Sequence, residues 1–315
     1  MRRALMSSLP ILIVGSMAFD DLELPTGSFK DVVGGSATYG AYAATSFAPV
    51  RLVAVVGDDF PAAELSSLGA RGADAAGVER AKGKTFRWAG RYSQNLSSRE
   101  TLDTQLNVFA DFSPKIPAEF QDSPLVLLGN IHPALQVRVL DQVSRPKLVV
   151  ADTMNFWIEG EPAALAAMMK RVDLLVINEE EVRQLSGEHN IARAAAGVLK
   201  MGPKQLIVKR GEYGALLFDA SGAFFAPAYP LEDVVDPTGA GDSFAGGLLG
   251  YLAEKGDVSP LALRKAIMVA SACASFCVEA VGPARLAGLR RDEIATRLDA
   301  FRKLQDFGGG PLPLR

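Results

Sequence analysis

The chain of 315 residues predicts an α/β protein, with a mostly parallel central sheet and helices on both of its faces. Three observations predict it. Short β-branched runs alternate with helical patterns along most of the chain, which implies βαβ units. The strand runs are almost continuously apolar, as expected where both faces of a parallel sheet are covered. One region, 84–112, changes to a period of two, so a second and smaller sheet stands off the main body.

The strands of the main sheet are expected at 11–14, 52–56, 125–128, 148–151, 174–177 and 205–209. Helical patterns fall between and after them, at 38–46, 134–143, 163–170, 191–200, 240–254, 261–279 and 291–304. In the exceptional region Phe86, Trp88 and Tyr92 share one face of a first strand, and Arg87 and Arg91 share the other. Leu102, Leu106 and Val108 alternate with Asp103, Gln105 and Asn107 in a second strand. Such alternation marks a half-exposed antiparallel pair, joined here by the polar stretch 93–100. A short non-helical insertion at 21–31 belongs with it. The Gly308-Gly309-Gly310-Pro311 tail reads as a loose end.

Composition removes several classes of function. Hydrophobic residues make up 49% and charged residues 22%, enough apolar material for a core and incompatible with general disorder. A net charge of −3 offers no basic field to hold nucleic acid. Cys273 and Cys277 are the only cysteines and lie in one apolar helical run, which excludes a disulfide framework and fits a reducing, cytoplasmic compartment. His132 and His189 are far apart, so no zinc spacing exists. Arg2, Arg3, the apolar run 9–14 and Gly15-Ser16-Met17-Ala18 imitate a secretory signal, but so short and β-branched a run reads as a buried strand. The weakly polar segment 266–278 falls short of the ~20 residues of a membrane span.

The chemistry concentrates in Asp236-Pro237-Thr238-Gly239-Ala240-Gly241-Asp242-Ser243-Phe244. Pro237 and the glycines end an extended segment, and the apolar positions from Phe244 onward open a helix. Gly239-Ala240-Gly241 therefore falls on a helix N-terminus, where unpaired amides and the helix dipole suit an anion. Asp242 has two readings. It either satisfies amides of the first turn or accepts a proton from a hydroxyl attacking phosphorus. Residue physics alone divides evenly between them.

This segment closely resembles the signature of the ribokinase, or PfkB, family of carbohydrate and nucleoside kinases. The resemblance implies a ribokinase-like three-layer α/β/α sandwich with a small β-sheet lid. One kinase domain would span 1–315, with lid elements at about 20–33 and 84–113. It implies that Asp242 is the catalytic base and that the amides of Gly239, Ala240 and Gly241 form the anion hole. Further landmarks follow the family's order. Gly15-Ser16-Met17-Ala18-Phe19-Asp20 resembles the end of its first strand, which makes Asp20 the residue that holds substrate hydroxyls, with Asp21 as the fallback. Gly34 and Gly35 resemble the di-glycine laid against the sugar. The sequence departs from the family at Tyr39, where an asparagine is common; an aromatic ring there offers a stacking face for a sugar or base. Asn130 and Asp152 match substrate-facing positions.

On the nucleotide side, Lys209-Arg210-Gly211-Glu212-Tyr213-Gly214 resembles the loop that approaches ATP phosphates, and Ser271 lies where small residues pack on adenine. The resemblance thus assigns Lys209, Gly211, Gly214, Thr238 and Ser271 to ATP. Asn178 and Glu181 resemble the Asn-x-x-Glu motif that orients water bound to Mg2+, while Glu179 and Glu180 complement the helix dipole. In some relatives the positions of Asp236 and Thr238 hold a monovalent cation such as K+, but the accompanying segment, Val281-Gly282-Pro283, diverges here.

The leading expectation is an ATP-dependent kinase of a hydroxyl on a sugar-like small molecule, with an adenosine-type nucleoside kinase as the alternative. A non-catalytic nucleotide- or sugar-binding regulator is the remote reading, since the motif is undamaged. No partner membrane or nucleic acid is expected. The Phe86/Trp88/Tyr92 face has two readings, substrate cover or subunit contact, and the balance favours packing or dimerisation, with a homodimer through the lid as the partner this would bring. No Gly-x-Gly-x-x-Gly turn follows the first strand and no P-loop occurs, which argues against a dinucleotide-dependent oxidoreductase.

Overall fold

The computed structural model describes residues 8–306 and 308. The two N-terminal arginines and all but Gly308 of the expected C-terminal tail lie outside the described residues.

In chain order the strands are β1 (Ile11–Val14), β2 (Ala18–Leu24), β3 (Gly27–Gly34), β4 (Val50–Val56), β5 (Ala73–Arg80), β6 (Phe86–Tyr92) and β7 (Arg99–Gln105). They continue with β8 (Leu125–Leu128), β9 (Leu148–Ala151), β10 (Leu174–Asn178), β11 (Gln205–Lys209), β12 (Ala215–Asp219) and β13 (Gly222–Ala226). The helices are α1 (Ser36–Ala44), α2 (Ala62–Ala70), α3 (Pro133–Leu140), α4 (Asn155–Gly160), α5 (Pro162–Met169) and α6 (Glu179–Ser186). After these come α7 (Ile191–Leu199), α8 (Ala240–Lys255), α9 (Pro260–Cys277), α10 (Ala284–Ala287) and α11 (Arg291–Leu304).

Nine strands form the main sheet in the order β13-β12-β11-β10-β9-β8-β1-β4-β5. From β5 to β11 every pairing is parallel, and β12 and β13 extend the β11 edge as an antiparallel hairpin. Alternate residues of β1 enter two separate cores: Ile11 and Ile13 pack with α1, α8 and α9, while Leu12 and Val14 pack with α3, α5, α6 and α7. All four are fully buried, which is why the strand reads as unbroken hydrophobicity. The result is a three-layer α/β/α architecture.

Local signals set the helix ends. Asn190 caps α7 and Ser259 caps α9, each accepting a first-turn amide, and Pro260 occupies the first position of α9. Left-handed glycines bracket α8, Gly239 at φ 75° and Gly256 at φ 62°. By length and composition α9 is long and apolar enough to cross a membrane, yet 67% of it is buried inside the fold, so it reads as a core helix.

The smaller sheet has the order β3-β2-β6-β7 and departs from expectation in two ways. It is mixed rather than antiparallel: β2 and β6 run parallel, and the 21–31 insertion is the hairpin that supplies β2 and β3. Its last strand stops at Gln105, and Asn107–Asp111 turns into a 3₁₀ helix instead of continuing to Val108. Aromatic packing accounts for the stop, because Phe109 stacks between Phe86 and Phe112 and draws the chain back to the main body.

Candidate functional site

The strand order reverses between β1 and β8, and open α/β sheets bind ligands outside the carboxyl ends of the strands at such a point. The expected polar residues come from that edge. Asn130 follows β8, Asp152 follows β9, Asn178 ends β10 and Lys209 ends β11. Asp20 enters from β2, and Asp242 from the first turn of α8.

Lys209 joins these elements. Its Nζ lies 3.1 Å from Asp152 Oδ2. Burial alone would lower its ammonium pKa, but the carboxylates of Asp152, Glu181 and Asp242 outweigh that and raise it. Lys209 is therefore a retained cation among three acids. Gly241 makes room for it: a Cβ on Gly241 would stand 2.8 Å from Lys209 Nζ. Asp152 is fixed from behind by buried Gln136, whose Nε2 donates to the carbonyls of Gly129 at 2.9 Å and Asp152 at 3.0 Å.

Burial, reinforced by Asp152, pushes the Asp242 carboxyl up to about 7, against the opposing charges of Lys209 and Arg99. A carboxylate tuned to that value is suited to accept a proton near neutral pH. Burial likewise raises the Glu181 carboxyl, with Asp152 adding to it and Lys209 opposing.

The loop before α8 is braced by Asp236. Its Oδ1 accepts the Thr238 amide and its Oδ2 accepts the Gly282 amide, each at 2.9 Å, in a fully buried setting. Ala240 N donates to Pro237 O at 3.3 Å, so its amide is turned into the loop. The amides of Gly241 and Asp242 sit in the first helical turn, where no carbonyl lies one turn back within the helix. Gly239 is left-handed, and a Cβ there would strike the Tyr39 ring at 2.3 Å.

That contact removes the stacking role expected of Tyr39. Its ring supports Gly239 from below, only 1% exposed, and its hydroxyl has no hydrogen-bond partner. Beside it Asp20 is 5% exposed. Burial raises the Asp20 carboxyl to about 8, with Asp236 and Asp242 adding to the effect. Gly34 leaves space for this carboxylate, since a Cβ there would be 1.9 Å from Oδ2. Gly35 holds φ 94° at the N-cap of α1. The fallback, Asp21, instead accepts the Asp31 amide at 2.9 Å inside the β2–β3 hairpin. Asn130 is engaged as well, its Oδ1 accepting from Trp157 Nε1 at 2.9 Å.

Asn178 and Glu181 form a reciprocal capping box on α6, with both bonds at 2.8 Å. Sequence reasoning read the pair as a metal motif and overlooked the cap, although the spacing signals both. Glu179 does more than complement the dipole, because it pairs with Arg183 and Arg210. No group of three or more His, Cys, Asp or Glu side chains that could cage a metal exists among the described residues. The acids present fit Mg2+ through bound water, with Glu181 committing one oxygen, Oε2, to the cap. Each of the two Asp236 carboxylate oxygens accepts one amide.

In the loop between β11 and β12, Arg210 N and Gly214 O close a turn at 2.8 Å, with Gly211 at φ 54° and Gly214 at φ 88°. Ser271 lies on the buried side of α9. The smaller sheet reaches across to this part of the molecule, for Tyr92 Oη lies 2.9 Å from Thr238 Oγ1. Tyr92 is thus turned inward and packs against the loop before α8. Sequence reasoning missed Gln136 and Arg99. A glutamine inside an amphipathic helix and an arginine in a polar run carry no signal of their own.

The fold, taken with the chain's similarity to known kinases, identifies a phosphotransferase with an alcohol group as acceptor. The pfkB family carbohydrate kinase model matches residues 11–287, and the chain belongs to that family. It is similar to the cytidine kinase of Thermococcus kodakarensis, 31% identical over 77% of this chain and 88% of that protein. The aminoimidazole riboside kinase of Salmonella typhimurium is 40% identical over a shorter stretch, 38% of this chain and 35% of that one. Among solved structures, Burkholderia thailandensis nucleoside kinase in complex with inosine superposes with a TM-score of 0.75 at 21% identity, covering 92% of this chain and 96% of that one.

Proposed function

We propose that the protein transfers the γ-phosphoryl group of ATP to a hydroxyl of a ribose-bearing nucleoside. The observation that carries the transfer chemistry is Asp242, a carboxyl raised to about 7 in the first turn of α8, facing the Lys209–Asp152 pair. In this reading Asp20 and the backbone at Gly34 and Gly35 hold the sugar hydroxyls, and Asp242 takes the proton from the attacking one. The Gly241 and Asp242 amides, with Lys209, meet the charge developing on the phosphoryl group. Mg2+, when bound, neutralises phosphate charge beside Asn178 and Glu181. The loop at Gly211 and Gly214, with Thr238 and Ser271, receives the nucleotide.

The cytidine kinase relative, aligned along most of both chains, favours a nucleoside over the free sugar that leads the sequence reading. A free pentose or hexose is the second reading, supported by the vicinal-hydroxyl geometry that Asp20 suits equally. The reading carries with it a cytoplasmic enzyme, consistent with two free buried cysteines. A panel of pyrimidine and purine nucleosides, ribose and fructose, scored by ADP formation, tests it. Turnover confined to nucleosides supports the first reading. Turnover confined to sugars replaces it with the second, and ADP formation with none of them contradicts both.

A further inference from the structure

The inner face of the lid is defined by register. Asp20 pairs with Trp88 across β2 and β6, and Tyr92 pairs with Arg99 across β6 and β7. Trp88 and Tyr92 lie four apart on one strand, so these side chains share one face of the sheet. Tyr92 reaches Thr238, the residue before Gly239. The Arg99 guanidinium lies 5.5 Å from the centroid of the Trp88 ring, and Arg99 stands opposite Tyr92 in the β6–β7 register. A cation therefore stands on the lid face that runs from Asp20 to the loop before α8. It belongs to a strand whose seven residues are all exposed, Arg99 included. Arg91 spends its charge on the opposite face, pairing with Glu23 and Glu100. No ion pair engages Arg99 among the described residues.

We propose that Arg99 is a phosphate-binding residue delivered by the lid, its guanidinium gripping the terminal phosphoryl group of the nucleotide from the side opposite Lys209. The assignment rests on the kinase reading above. Its charge acts at once on Asp20, Asp242 and Glu181, three acids around the space where that group would lie. A planar fork suits this task, because it meets two phosphate oxygens together. Closing the lid then completes the site electrostatically as well as excluding water.

The test compares ATP and ADP binding, by titration calorimetry with Mg2+, in wild type, Arg99→Met and Tyr92→Phe. Arg99→Met is expected to weaken ATP by about 10- to 100-fold while leaving ADP within about twofold. Its turnover falls by on the order of 100-fold. Tyr92→Phe breaks the contact with Thr238 but keeps the guanidinium, so it should retain the preference for ATP. If both variants weaken the two nucleotides alike, Arg99 only holds the lid and the proposal is overturned. It is also overturned if Arg99→Met keeps wild-type ATP affinity and turnover. A wild type that binds neither nucleotide overturns the kinase reading itself, a result distinct from either of these.

Discussion

Asp20→Asn isolates what the buried acid costs the fold. The Asp20 carboxyl is raised from 3.8 to about 8, first by burial and then by Asp236 and Asp242. A carboxyl raised in the folded state holds a proton that the unfolded chain has already released. Stability therefore falls as pH rises from about 4 to 8, and the penalty is complete above 8. Its ceiling is on the order of 5 kcal/mol. Asparagine is neutral and nearly isosteric, so the variant escapes the penalty. At roughly 2 °C per kcal/mol for a chain of this size, the variant should melt about 5–10 °C above wild type at pH 9. The two should converge near pH 5. Asp242 and Glu181 titrate in both proteins, so the difference between the melting curves reports Asp20 together with its repulsion of Asp236 and Asp242. Thermal melts at pH 5, 7 and 9 measure it, and acceptor KM should rise in the same variant. A gap that stays constant with pH, or a variant less stable at pH 9, would refute the reasoning.

The acid limb of the pH–rate profile should follow Asp242. As a base it works deprotonated, so kcat/KM is expected to fall about tenfold per pH unit below 7 and to level off above; a limb near pH 4 contradicts the assignment. Lys209→Met removes the cation that holds the Asp242 carboxyl down, so the limb should move to higher pH while kcat drops on the order of 100-fold. Gly241→Ala sets a methyl 2.8 Å from Lys209 Nζ. The flexible end of the lysine gives way, so the fold should survive with a normal melting temperature while turnover falls about 100-fold through misplacement.

The parts of the fold that were legible in the sequence are those where one physical demand dominates. Six strands of the parallel sheet announced themselves because both faces are buried, as the four fully buried residues of β1 illustrate. Edge elements did not. β5 runs Ala-Asp-Ala-Ala-Gly-Val-Glu-Arg, and its half-exposed residues blur the period. The β12–β13 hairpin, closed around Ser221, was passed over although Gly222 marks its turn. At the site, the residue types were visible in the motif from Asp236 to Phe244, but their mutual distances were not. Nothing in the order of letters says that Gly241 exists to admit Lys209, or that Tyr39 lies beneath Gly239 with its stacking face already covered. Arg99 was invisible for a related reason. Its position depends on a parallel β2–β6 pairing between segments more than sixty residues apart, where hairpin logic predicts antiparallel neighbours.

The central claim is that Asp242 takes the proton of the attacking alcohol. The most direct measurement is acceptor-dependent ADP formation by Asp242→Asn, made alongside its ATP affinity. The account predicts turnover lowered by on the order of 10²–10⁴ with ATP binding and melting temperature close to wild type. Turnover within a few fold of wild type would contradict it.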